Sequence, residues 1–416
     1  MDGLSLKERT PIEAGKSRRR SPGILQNGLG NWARLALTLL LIGMPILFIS
    51  FASVGAYAAG SAEGQPDNDL LLMPAAKTVP VSKGLFLDVV QAGSRAVAVG
   101  EWGRIIYSDD GGAAWTQANV PVSVTLTAAC FPTAQQGWAV GHDGAVLHSS
   151  DAGVTWVRQF DVAQFNAGAY AQLEKLAADA ATGEDTPGNE DRAKELDIYV
   201  KDMALIKKEG STWPFLSVWF ADEREGFAVG TFGMAAHTVD GGLTWEPILD
   251  RIPNYKGSHY YGITQVGRDL FLVGEAGAIF RSQDRGQHWE RLKAPYDGTF
   301  FGVIGSRDGN TVIVYGMRGR AFRSTDRGET WTPLAAPVIA SWMGASLLSN
   351  GSLLLISPGL GGAITGDNGL TFQTLPNFPL GATAATGIIN DKLVVVGATG
   401  ALSIPMNGSG SNGAVQ

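Results

Sequence analysis

The sequence predicts an all-β fold, a seven-bladed β-propeller with an inserted helical hairpin and an N-terminal transmembrane helix. Two repeated patterns predict the wheel, and one interruption of their period predicts the hairpin. The first pattern is an octad of the form Ser-x-Asp-x-Gly-x-Thr-Trp, complete at 149–156 and 324–331 and varied at 108–115, 238–245, 282–289 and 365–372. Its aspartates lie 41, 89, 44, 42 and 41 residues apart, a period near 42 with one double gap. The second pattern is an apolar strand ending in Gly-x-x-Gly. It occurs at 100–103, 141–144, 230–233, 274–277, 316–319 and 397–400, with a degenerate copy at 357–361.

The octad reads as a self-locking turn. An Asp carboxylate accepts N–H groups of its own turn, Gly supplies a positive φ, and the closing aromatic ring packs beside the turn. The residues cast in these roles are Asp110, Gly112 and Trp115; Asp151, Gly153 and Trp156; Asp240, Gly242 and Trp245; Asp284, Gly286 and Trp289; Asp326, Gly328 and Trp331; and Asp367, Gly369 and Phe372. The seventh unit lacks both Asp and Trp, its octad register falling on Pro405-Met406-Asn407-Gly408.

Each unit reads as four short strands, near 86–91, 95–99, 104–108 and 115–120 in the first. Four-stranded units of this length mark a propeller. One sheet cannot bury both its faces, whereas a ring of sheets can. Strand positions such as Ile105, Ile106, Val146, Leu147, Ile279 and Phe280 are accordingly apolar without alternation.

Residues 1–31 read as a basic, disordered cytoplasmic tail containing Arg18-Arg19-Arg20. No charged residue occurs from Leu35 to Ala62, a run longer than the roughly 20 apolar residues that cross a bilayer. A transmembrane anchor is expected over 32–59, with the N-terminus in the cytoplasm of the inner membrane and the propeller in the periplasm. The competing reading is an export signal cleaved near Ala56-Tyr57-Ala58, which makes the product periplasmic or secreted. The length of the apolar run favours the anchor. Residues 60–83 form a linker, and its apolar island around 70–76 is expected to close the ring as the missing outer strand of the last blade. The propeller spans 84–405 and a disordered tail 406–416.

The double gap holds few β-branched residues and many Ala, Leu, Glu, Lys and Asp. Phe165, Tyr170, Leu173, Leu176 and Ala177 follow helical spacing, as do Leu196, Tyr199, Val200, Met203 and Ile206. A helical hairpin is expected over 160–209, on the face of the Gly-x-x-Gly turns.

Formal charge is −7 overall; residues 1–34 carry seven Lys or Arg against three Asp or Glu, so the remainder is more acidic still. An acidic body excludes a general nucleic-acid binder. The single cysteine, Cys130, excludes an internal disulfide and reads as a small buried hydrophobe.

The octad resembles the Asp box of bacterial neuraminidase repeats (BNR), which recurs in sialidases and other propellers. The combination of seven units with paired Gly-x-x-Gly and Asp-box turns resembles the photosystem II stability/assembly factor family of propellers, over roughly 84–404. The resemblance implies a non-enzymatic, membrane-adjacent propeller that assists a membrane protein complex. The basic tail, apolar segment and hairpin depart from photosynthetic members and point to a non-photosynthetic type.

The rival reading is a sialidase-like or other glycan-binding or glycan-hydrolysing propeller. Arg251-Ile252-Pro253, Tyr260, Tyr261 and Glu275 are the residues that suggest it, but a glycosidase needs two facing carboxylates. One aspartate per blade cannot converge on a site. His148 and His237 hold equal places in neighbouring units and lack further ligands for a metal. No metal, cofactor or catalytic residue is therefore expected. The face carrying Glu101, Trp102, His142, Asp143, Phe232, Glu275, Met317 and Arg318 is the candidate surface for a membrane protein or exported polypeptide, because aromatics beside charges in turns suit partner contacts.

Overall fold

A computed structural model describes residues 69–182, 194–204 except 195 and 202, and 212–405 except 255, 336–339, 376–377 and 390–391. All of them fall within one unit, 66–416. The expected tail, apolar segment and C-terminal tail lie outside the described residues. Among the described residues no helix is long and apolar enough to cross a membrane.

Seven antiparallel sheets follow one another along the chain, six of four strands and the last of three. Blade one comprises Phe86–Ala92, Arg95–Gly100, Ile105–Ser108 and Thr116–Gln117. Later blades open with Leu126–Cys130, Phe215–Phe220, Tyr260–Val266, Phe300–Gly305, Gly344–Leu347 and Ala382–Ile389. These first strands line a central channel with a volume of about 470 Å³. Second strands are buried throughout, as in Gly137–Gly141 and Leu353–Ser357, because neighbouring blades cover both faces. This is why their sequences run apolar without alternation.

The outer strands are shorter than the sequence suggests. In blade one only Thr116 and Gln117 pair with the third strand. Asn119 then leaves to bond the next blade, accepting Trp156 N–H at 3.0 Å and donating to Val154 O at 2.9 Å. A two-residue edge offers little template for pairing with another chain.

Ring closure differs from the expectation. The segment around 70–76 does not extend the last sheet. It lies on blade one's exit loop, where Ala75 donates to Val120 O at 3.0 Å and Leu70 O accepts Ser123 N–H at 2.8 Å. Leu71 and Ala75 pack on the cluster shared by blades one and two. Closure is made mainly by side chains, with one backbone bond from the linker, Ala401 N–H donating to Ser82 O at 2.9 Å. Phe86, Val89, Ala98 and Ile106 of blade one share a core with Val394, Val396 and Ala401 of blade seven. Thr383 Oγ1 donates to Phe86 O at 2.9 Å, and Ser403 Oγ to Gly111 O at 2.7 Å. With both faces already buried, a borrowed strand would add only edge pairing.

The interruption is helical. Helix α1 spans Val162–Thr182, and residues 194, 196–201 and 203–204 are helical as well. Phe165, Ala169, Leu173, Leu196 and Met203 are buried with Phe160, Phe215, Trp245 and Leu249. Phe165 meets Phe215 edge-on at 5.8 Å. The insertion thus shares one core with blades two and three. Ile206, assigned to the same helical face, lies outside the described residues.

Candidate functional site: the two rims of the wheel

Strand order sets the rims. Gly-x-x-Gly turns join second to third strands on the upper rim; Asp boxes join third to fourth strands on the lower rim.

On the lower rim all six boxes form one hydrogen-bonded knot. In box two, Ser149 Oγ donates to Asp151 Oδ1 at 2.8 Å and accepts Gly153 N–H at 2.9 Å. Asp151 Oδ1 accepts Thr155 N–H at 2.9 Å, and Oδ2 accepts Thr155 Oγ1–H at 2.6 Å. Asp240, Asp326 and Asp367 repeat this with Thr244, Thr330 and Thr371. Box one has Ala114 instead, whose N–H lies 2.9 and 3.1 Å from the two oxygens of Asp110. Box four has His288, whose Nδ1 lies 2.6 Å from Asp284 Oδ2. Thr330 and Thr371 hydroxyls lead in holding Asp326 and Asp367 down to a pKa of about 2. Trp156, Trp245 and Trp289 are buried beside their turns, while Trp115, Trp331 and Phe372 are half-buried.

The boxes also close the seams between blades. A Cβ on Gly153 would lie 3.2 Å from Val97 of blade one, and one on Gly286 would lie 2.4 Å from Phe227 of blade three. Gly112, Gly242, Gly328 and Gly369 likewise face Val394, Gln159, Phe271 and Ile313 of the blade before. Arg285 of box four pairs with Glu225 of blade three, and Arg327 of box five with Asp269 of blade four. Sequence reasoning missed these clasps. The signal was an Asp-Arg-Gly in each of those two boxes, with an acidic residue at the start of the preceding blade's second strand, Asp269 as its first residue and Glu225 immediately before it.

On the upper rim, the first glycine of each turn is required by a close approach. A Cβ on Gly100, Gly141, Gly230, Gly274, Gly316 or Gly397 would lie 2.1–2.2 Å from a carbonyl oxygen at the start of that blade's first strand. A bulge there brings the backbone inward, as between Phe86 and Asp88. The third position of the turn is left-handed without being glycine: Trp102 at φ 56°, Asp143 at 56°, Phe232 at 53°, Ala276 at 50° and Arg318 at 58°. Few non-glycine residues adopt this region.

The structure divides the upper-rim candidates. Glu101 Oε1 accepts Leu85 N–H at 3.0 Å, and Glu275 Oε2 accepts His259 N–H at 2.8 Å, so both carboxylates cap their own blades. Phe232 stacks on Trp213 at 4.3 Å and meets His259 edge-on at 4.6 Å. The Tyr199 hydroxyl of the hairpin donates to Phe232 O, tying the insertion to this rim. Asp143 is half-buried and its pKa is raised, first by desolvation. Met317 is half-buried; His142 and Arg318 are exposed. Trp102 is 62 % exposed, and among the described residues no aromatic ring packs on it. Leu70, Leu72 and Met73, on the segment seated against the neighbouring exit loop, are exposed as well.

The residues suggesting a hydrolase do not assemble. Asp88 is the one carboxylate among the residues lining the channel. It bonds backbone, accepting Val89 N–H at 2.8 Å and Ala129 N–H at 3.0 Å. Arg251 pairs with Glu246 at 2.8 Å, Ile252 and Tyr260 are buried, and Tyr261 lines the channel. His148 Nε2 lies 2.8 Å from Gln136 Oε1; His237 Nε2 lies 3.4 Å from Glu225 Oε1 without a hydrogen bond, and its Nδ1 lies 3.4 Å from Arg251 Nη1, so each histidine faces groups of its own blade.

Residues 206–361 match the family model described as photosynthesis system II assembly factor YCF48. A curated relative, the photosystem II assembly lipoprotein Ycf48 of Synechococcus sp. (strain CC9902), is 34 % identical over 77 residues. That stretch is 18 % of this chain and 23 % of the relative's length. Among solved structures, YCF48 bound to D1 peptide superposes with a TM-score of 0.54 at 14 % identity, covering 80 % of this chain and 98 % of that one. YCF48 from Cyanidioschyzon merolae gives 0.52 at 12 % identity, covering 79 % and 98 %. At these identities the superpositions carry the fold alone. Family match, curated relative and repeat architecture agree: over residues 206–361 the chain is similar to the photosystem II assembly factor family of BNR-repeat propellers.

Proposed function

We propose that this chain is a non-enzymatic, membrane-anchored periplasmic propeller that docks a segment of a membrane protein or exported polypeptide on its upper rim and assists assembly or function of that client's complex. The observation that carries the reading is Trp102, an indole held outward on a left-handed backbone and 62 % exposed. A large apolar ring kept in solvent on a conformation of this kind is a feature of recognition surfaces. The hairpin widens the same rim, and the lower rim is occupied with closing seams. That a relative propeller has been solved bound to D1 peptide supports a polypeptide as the class of client. The uncharged run from Leu35 to Ala62 supports anchoring, and an anchor raises the effective concentration of a client in the same membrane.

The test is capture of integral membrane proteins from solubilised membranes by the full-length chain. Trp102→Ala is expected to reduce capture of the specific client at least tenfold. Leu243→Ala, on the lower rim and 81 % exposed, is expected to leave it unchanged. Equal capture by wild type and Trp102→Ala would contradict the assignment. Deleting 160–209 is a poorer test, because it uncovers Phe215 and Trp245.

A further inference from the structure

The residues immediately before the six Asp boxes are Tyr107, His148, His237, Arg281, Arg323 and Ile364, and all but Arg323 have a facing group or an apolar cluster of their own. Tyr107 lies under Arg95 at 4.3 Å, His148 bonds Gln136, His237 faces Glu225, and Ile364 packs in an apolar cluster. Arg281 in blade four is saturated. Its Nε and Nη2 reach Glu290 Oε1 at 2.9 and 2.7 Å, Nη2 also reaches Glu329 Oε1 at 2.8 Å, and Nη1 reaches Arg327 O at 2.7 Å. Glu290 is its cross-strand partner, and Glu329 comes from the box of the next blade.

Blade five repeats the arginine without the acids. Arg323 stands where Arg281 stands, but its cross-strand partner is Thr332. The place of Glu329 in the next box is taken by Leu370, which is 64 % exposed. Arg323 Nε is buried and has no hydrogen-bond partner, and among the described residues no hydrogen bond or ion pair joins this side chain to another. Beside it lies a cavity of about 140 Å³ lined by Arg323, Ser324, Thr325, Thr330 and Thr332. Ser324 and Thr330 hydroxyls are committed to Asp326, whereas Thr325 and Thr332 line the cavity with hydroxyls that form no hydrogen bond among the described residues.

We propose that this cavity is a carboxylate-binding site in which a ligand supplies the anion that Glu290 and Glu329 supply one blade earlier. A guanidinium presents a planar fork of donors that matches a carboxylate, and two uncommitted hydroxyls stand beside it. A water molecule takes about 30 Å³, so the volume suits a carboxylate group. A buried donor without a partner is costly, and an incoming anion removes that cost. The carboxylate comes either from a small organic acid or from an acidic side chain of a partner polypeptide. The site is on the lower rim, so it stands or falls independently of upper-rim docking.

The test is the Nε–Hε NMR cross-peak of Arg323 in the full-length, 15N-arginine-labelled chain, identified by its absence in Arg323→Lys. Titration with sodium acetate is expected to shift this peak saturably, while sodium chloride at equal ionic strength leaves it in place. The double variant Thr332→Glu/Leu370→Glu plants blade four's acids; its peak is expected to start at a shifted position and to ignore acetate. It also identifies the peak should Arg323→Lys fail to fold. A peptide with a single glutamate that binds at least tenfold more tightly than acetate supports a polypeptide source, and equal binding supports a small acid. A response to acetate no larger than that to chloride, an equal response to sulfate, or a response that survives in the double variant would overturn the proposal.

Discussion

Arg327, in the box of blade five, donates through Nε and Nη2 to the two carboxylate oxygens of Asp269 in blade four, at 2.6 and 2.7 Å. The Asp269 side chain is 1 % exposed, so the pair is a charged clasp laid across a seam. Removing one partner of such a pair strands a buried charge. Arg327→Ala is expected to destabilise the protein by about 3 kcal/mol, the low end of the range for buried pairs because the arginine is partly exposed. Replacing both partners, as Asp269→Leu/Arg327→Met, is expected to recover most of that loss. Equilibrium urea denaturation reads both variants.

Acid should loosen the boxes in a defined window. Asp326 and Asp367 are held at a pKa of about 2, led by the Thr330 and Thr371 hydroxyls. Asp284 reaches about 2 although burial pushes it upward, because His288 and Ser282 bond its carboxylate. These folded-state values lie below the roughly 3.9 of an unfolded Asp. Their contribution is therefore complete above about pH 4 and is lost as pH falls through about 2. The urea midpoint should fall across that interval, and Thr330→Val/Thr371→Val should flatten the fall. An unchanged slope would contradict the role given to the threonine hydroxyls.

Gly316 has φ −178°, which any residue adopts, so its requirement is one of space. A Cβ there would sit 2.2 Å from Thr299 O and 2.8 Å from Phe300 Cα, both backbone atoms that cannot swing aside. Gly316→Ala is expected to cost about 2–3 kcal/mol by overpacking. Blade six supplies the contrast. Gly344 pairs with Ile356 and Ser357 with Gly361 without a register shift, so a side chain is accommodated at Ser357. Its hydroxyl is buried without a partner, and Ser357→Ala is expected to be neutral or stabilising in the same assay.

The period of the boxes and the paired glycines made the wheel, its blade number and the place of the helical insertion legible, because a turn needs the same few residue types wherever it recurs. The ends of the ring were less legible. The apolar island at 70–76 reads as a strand, and only packing shows it lying on blade one. Local pattern also could not separate Trp102 from Phe232. Both occupy the same left-handed turn position, yet Trp213 and His259 cover one ring and, among the described residues, no ring covers the other. The clasps joining Arg327 to Asp269 and Arg285 to Glu225 span 58 and 60 residues, beyond the reach of any motif window.

Docking on the upper rim is tested most directly by site-specific photocrosslinking in intact cells. A benzophenone amino acid placed at position 102 on the upper rim, and in a separate protein at position 243 on the lower rim, reports which face meets the client. The account predicts a discrete crosslink to an integral membrane protein from position 102 and none from position 243. A crosslink to that protein from position 243 alone would contradict it.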